Sequence, residues 1–164
     1  MSTSSPSRDS SDSQDRTPAG DAFSWLAFQV LRLSGLLTEA GDRLSAPAGQ
    51  SSARWQVLAA IEHEPSSVAD IARSLGLARQ SVQRIADVLE REGYTVYEEN
   101  PKHRRAKLLR LTRTGRSSLR SIQVAQRAWA NEVGKSLGVS ELRRASEVLA
   151  RVTDLVERGV REQD

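Results

Sequence analysis

Residues 67–93 read SVADIARSLGLARQSVQRIADVLEREG, and residues 94–112, which follow at once, read YTVYEENPKHRRAKLLRLT. The first run has the spacing of two short helices that cross steeply. Ala72 is small where the pair must approach closely, Gly76 can take the positive φ of a tight turn, and Val82 and Ile85 face back into the pair. Ser67, with Asp70 three residues on, matches an acidic variant of the capping box and marks where the first helix starts. Beyond Gly93, the positions Tyr94, Val96, Lys107, Leu109 and Leu111 allow two short strands joined by a basic turn, a wing beside the helices.

The outward face of the second helix carries Arg79, Gln80, Ser81, Gln83 and Arg84. These side chains suit a DNA major groove, because Arg pairs bidentately with guanine, Gln with adenine, and Ser reaches phosphate or base. Lys102, Arg104, Arg105, Lys107, Arg110, Arg113 and Arg116 then follow without an intervening carboxylate. Such a block drives counterion release from DNA, and a long Arg at the tip of a turn fits a narrow minor groove. His103 lies among these cations and is expected to meet phosphate rather than metal. Taken alone, residues 67–93 fit an ordinary helical hairpin with a solvated polar face equally well. The carboxylate-free turn decides for nucleic acid. For Arg110, Arg113 and Arg116, a solvated face or a helix start is the plainer reading.

Outward from this centre the chain reads as helices. Leu26, Val30, Leu33, Leu37, Ala40 and Leu44 recur in steps of four and three, which predicts a long first helix from Ala22. Trp25, Phe28 and Leu36 add a second apolar stripe, as on a helix gripped from two sides. Pro47 to Ser52 reads as a loop, and a short helix with Trp55, Leu58, Ala59 and Ile61 is expected to close near Pro65. Leu119, Ile122, Trp129, Val133 and Leu137 mark a later helix ended by Gly138. Ser140 is expected to cap a last one bearing Leu142, Ala145, Leu149, Val152 and Val156. Residues 1–21 are rich in Ser, Asp, Pro and Arg and read as a disordered tail of mixed charge.

A chain of 164 residues with 38% hydrophobic and only 4% aromatic residues fits one folding unit with an aliphatic core. The formal net charge is only +3, so where the cations sit matters more than their sum. Cysteine is absent and only two histidines are present, which excludes thiol chemistry and leaves no convincing transition-metal set. No nucleophile elbow, P-loop, glycine-rich cofactor turn or Ser/His/Asp set is visible, so neither an enzyme nor a bound cofactor is expected. No run is long and apolar enough for a membrane span or a secretory signal, and the expected location is the cytoplasm.

The stretch LGLARQSVQRIADVLEREGYTVYEENPKHRRAKLLRLTRTG, residues 75–115, resembles the MarR family of regulators, and the likeness extends over roughly residues 22–160. The run NPKHRRAKLLRLTRTG is its most specific part. The resemblance implies a mainly α fold with a small β wing, forming one domain over 22–164. Helices in 22–46 and 116–160 would interlock two copies, and 53–114 would form the DNA-binding lobe. It makes Arg105, with Arg104 beside it, the minor-groove residue; the basic run itself puts Lys102, His103 and Lys107 near the duplex. It also implies a crevice for a small phenolic or lipophilic effector near Trp25, Phe28 and Trp55, residues that by themselves read as packing. The chain departs from the family at Asn100 and His103, where Asp is frequent, and at Ala78, where Ser or Thr usually caps a helix. The function expected is a homodimeric repressor on an inverted-repeat operator. The rival reading is a winged-helix module that docks protein without touching DNA.

Overall fold

The computed structural model describes residues 17–162, apart from Lys102, Arg104 and the side chain of Arg161. The expected tail therefore lies, as far as residue 16, outside the described residues. The chain divides into two units, Met1–Glu39 and Ala40–Asp164.

The described part of the first unit is helical. Helix α1, Pro18–Ser45, starts four residues earlier than Ala22, and residues 18–21 are its opening turn, not tail. Proline is well suited to this place, since its missing N–H would have no partner in a first turn anyway. The Thr17 hydroxyl accepts the Gly20 N–H at 3.1 Å. Leu31 is 73% exposed, and Trp25, Phe28, Leu33, Leu36 and Leu37 are exposed with it.

The second unit opens with the end of α1, where the helix comes against the start of α2, Ser52–Ala60. A Cβ on Gly41 would lie 2.6 Å from the Ser52 hydroxyl, and Asp42 accepts the Ser52 N–H at 2.7 Å. The intervening residues are not a plain loop, because Ala46–Ala48 form a single 3-10 turn. Helix α2 ends at Ala60 rather than near Pro65, with Ile61 as its buried cap. There follow β1 (Ser66–Ser67), α3 (Val68–Leu75), α4 (Arg79–Arg91), β2 (Thr95–Glu98), β3 (Leu108–Leu111), α5 (Arg113–Gly134) and α6 (Val139–Arg161).

One core unites α2 to α5 of this unit. Val57, Leu58 and Ile61 meet Ile71 and Ala72 of α3, Val82, Ala86 and Leu89 of α4, Leu109 and Leu111 of β3, and Leu119 of α5. Burying a side chain of this size contributes about 1.5–3 kcal/mol, enough to hold the short α3 and α4, which are marginal alone. In β3 the alternation is clean: Leu109 and Leu111 are buried, Leu108 and Arg110 only partly. β2 pairs antiparallel with β3, Thr95 opposite Leu111 and Glu98 opposite Leu108. The other edge of β3 takes β1, giving the order β1-β3-β2. Two serines before a helix carry no strand periodicity, so β1 is set by its partner and was not legible.

Helix α5 ends at Gly134, short of Gly138. Gly138 instead caps α6, its N–H donating to Glu141 Oε2 at 2.9 Å, so Ser140 falls inside the first turn and caps nothing.

Candidate nucleic-acid interface

Helix α3 begins where Ser67 is extended; its hydroxyl accepts the Asp70 N–H at 3.2 Å and donates to Asp70 Oδ2 at 2.7 Å. This hydroxyl, then the Arg73 guanidinium at 2.8 Å, holds the Asp70 carboxyl below its usual range. The turn into α4 closes as the spacing predicts. Gly76 sits at φ +63, its N–H on Arg73 O at 3.3 Å, while the Leu77 N–H reaches back to Ala72 O at 2.9 Å. Ala78 is the N-cap of α4 and offers no side-chain hydrogen bond.

Val82, Ala86 and Leu89 turn α4 inward, so the face one half-turn away points to solvent. Arg79, Gln80, Ser81 and Arg84 are exposed on that face. Gln83 is only half-exposed and is not free to read both edges of a base. Its Nε2 donates to Asp87 Oδ1 at 2.7 Å and to the Tyr97 hydroxyl at 2.8 Å, and that hydroxyl donates to Asp87 Oδ1 at 2.9 Å. Burial first, and Asp87 second, push the Tyr97 phenol up to about 12. Neither Asp87 nor Tyr97 was singled out in the sequence. The spacing of Gln83 and Asp87, one helical turn apart, was the only signal.

The wing turn is fastened at its base. Asn100 Oδ1 and its carbonyl both accept the His103 N–H, at 3.3 and 3.2 Å, and the Ala106 N–H donates to His103 O at 2.9 Å. His103, Arg105 and Lys107 are exposed; Lys102 and Arg104 lie outside the described residues. Arg110 donates to Glu98 Oε2 at 2.7 Å and is occupied on the sheet. The helix face and the wing meet around a cleft of about 340 Å³, lined by Ser67, Val68 and Ala69 of the α3 start, Arg79 and Gln83 of α4, Tyr97, and Arg105, Ala106 and Lys107 of the wing. Beside it, Arg79, Gln80, Gln83 and Arg84 line a shallower hollow.

The junction below the wing is equally defined. The Thr112 hydroxyl donates to Gly93 O at 2.7 Å and to Tyr94 O at 3.0 Å, and it accepts the Gly115 N–H at 3.1 Å. Any Cβ on Gly115 would lie 2.0 Å from Tyr94 O. Arg54 of α2 stands over the Tyr94 ring at 5.5 Å and pairs with Glu92.

The expected effector aromatics have different settings. Trp25 and Phe28 stack, centroids 5.7 Å apart, and are exposed, whereas Trp55 packs against the core of the second unit. Among the described residues, no group of three His, Cys, Asp or Glu side chains can hold a metal ion, and no helix is long and apolar enough to cross a membrane.

Two short helices joined at a left-handed glycine, with an antiparallel hairpin set beside the second, define a winged helix-turn-helix of the kind that transcription regulators bring to DNA. The MarR family model matches residues 49–106. An uncharacterised protein of Mycobacterium tuberculosis is 39% identical over 102 residues, which are 62% of this chain and 71% of that protein. The transcriptional activatory protein BadR of Rhodopseudomonas palustris is 25% identical over 138 residues, covering 81% of this chain and 79% of its own. The M. tuberculosis transcriptional regulator MosR, solved in complex with DNA, shares the fold with a TM-score of 0.67 at 25% identity, over 79% of this chain and 96% of that one. The chain belongs to the MarR family, whose members are DNA-binding transcription regulators and not enzymes.

Proposed function

We propose that this chain acts as a cytoplasmic homodimer that holds an inverted repeat of double-stranded DNA and represses transcription by occluding polymerase. The observation that carries the reading is the cleft that Arg79 and Gln83 of α4 share with Arg105 and Lys107 of the wing. Cations from two elements facing one hollow suit a duplex backbone passing between a helix in the major groove and a hairpin in the minor groove. Arg79, Gln80, Ser81 and Arg84 then reach base edges or phosphates. Arg105 enters the minor groove, and His103 and Lys107 meet the backbone, with Lys102 and Arg104 assigned by their place in the run. Two copies set the recognition helices about one DNA turn, ~34 Å, apart.

BadR bears the name of an activator. The same DNA-bound dimer represses or activates according to where its operator lies relative to the promoter. A small lipophilic or phenolic effector is proposed to meet the exposed Trp25–Phe28 stack and to favour a dimer that fits the operator poorly.

A mobility shift on the promoter upstream of the chain's own gene tests the DNA reading. Affinity is expected to fall with a log–log salt slope of about −0.9 per phosphate contact, and Arg105→Ala and Arg84→Ala are each expected to weaken binding. Salt-insensitive affinity, or two variants that bind like the parent, would overturn it in favour of a protein-docking module.

A further inference from the structure

The strongest unassigned feature is the triad Gln83, Asp87 and Tyr97. An ionised carboxylate only accepts hydrogen bonds, so the Gln83 atom 2.7 Å from Asp87 Oδ1 must be the amide nitrogen. That nitrogen has two protons. They face Asp87 Oδ1 and the Tyr97 hydroxyl, whose own proton goes to Asp87. The nitrogen end of the amide is therefore turned to Asp87 and Tyr97 within the protein, while Oε1, at its other end, makes no hydrogen bond to any described residue. Gln83 also lines the hollow it shares with Arg79, Gln80 and Arg84 on the exposed face of α4.

From this we infer that Gln83 reads DNA as an acceptor only, and that the Asp87–Tyr97 pair is the device that makes it so. The inference rests on the proposed docking of α4 in the major groove. A free Gln amide favours adenine, because it accepts from N6 and donates to N7 together. Held in this way it has nothing to give N7. Its oxygen accepts from any exocyclic amino group in reach, adenine N6 or cytosine N4, and is repelled by the O6 of guanine and the O4 of thymine. The position read by Gln83 is thus an amino-base position, A or C against G or T. Asp87 and Tyr97 determine this specificity through their hold on the Gln83 amide.

The test is selection of bound duplexes from a random pool by the full chain, by Gln83→Ala and by the double variant Asp87→Ala/Tyr97→Phe. Circular dichroism checks that each is folded; Asp87 is exposed and Phe keeps the volume of Tyr. The parent is expected to yield one column, repeated by symmetry, holding A and C alike, with G and T depleted about fivefold or more, the scale of one base-edge hydrogen bond. Gln83→Ala flattens that column alone. The double variant frees the amide and narrows the column to A. If the column sensitive to Gln83→Ala holds G or T, if Gln83→Ala changes no column, or if the double variant leaves A and C as they were, the inference is overturned while DNA binding stands. If no motif is enriched by the parent, the DNA reading fails and this one with it.

Discussion

At the scale of single residues, the tightest constraint is Gly115. No side chain fits 2.0 Å from the Tyr94 carbonyl, so Gly115→Ala must push the start of α5 off the wing. A loss of roughly 3 kcal/mol is expected, overpacking against backbone being at the costly end of its range, and a urea melt against the parent measures it. Tyr97 makes a second prediction. Its phenol is held up to about 12 from 10.0, so the protonated form is favoured by folding. The resulting stability is whole below pH 10 and is lost as pH rises toward 12. Discounted for the solvent that still reaches this half-buried ring, the effect is on the order of 1 kcal/mol. Denaturation of the parent and Tyr97→Phe on both sides of that window should show the parent losing more stability than the variant; parallel curves would refute it. The residues that carry these effects differ in legibility. Gly76 was readable because a turn between two periodic segments needs a left-handed residue. Tyr97 was not, because only the β2–β3 register and the packing of β2 on α4 bring it to Gln83.

At the scale of elements, α3 and α4 differ at their first turns. α3 is capped by the Ser67 hydroxyl, and α4 opens on Ala78 with no side-chain partner. Ser67→Ala is therefore expected to cost about 1 kcal/mol, and Ala78→Ser to add about 0.5–1 kcal/mol if its hydroxyl takes up the vacant cap. Thermal melts of the two variants should move in opposite directions. The inward positions read from the spacing, Val82 in the core and Ile85 partly buried against it, were legible, as were the paired strands of the wing, whereas Ala86 and Leu89 were not singled out. Helix ends were less so: Gly138 rather than Ser140 caps α6, because the Glu141 carboxylate stands at the right distance to accept the Gly138 N–H. β1 escaped notice because its pairing is dictated by β3 and not by its own two serines.

At the scale of the whole molecule, α6 and the first unit expose far more apolar surface than a solvated helix needs. Leu155 is 62% exposed, and Leu142, Leu149, Val156 and Val160 share the exposure on α6. Large uncovered apolar faces mark association surfaces, and the proposed occupant is a second copy of this chain. Light scattering should return twice the chain mass of 18.0 kDa. Leu149→Asp together with Val156→Asp should bring that mass down toward the single chain and weaken operator binding in parallel; a parent that scatters as a folded single chain would sink the proposal. The seam itself was visible in the heptad-like spacing of Leu142, Ala145, Leu149, Val152 and Val156. What covers it was not, since a repeat of apolar positions names no partner. The contact between Gly115 and the Tyr94 carbonyl then acquires a mechanical meaning. Thr112 is bonded to the same carbonyl, so the root of α5 and the root of the hairpin are one hinge pin with no play in it. A displacement imposed on the distal half of α5, where Val124 and Val133 lie exposed, would be transmitted as a swing of the hairpin, making the helix a crank and not a strut.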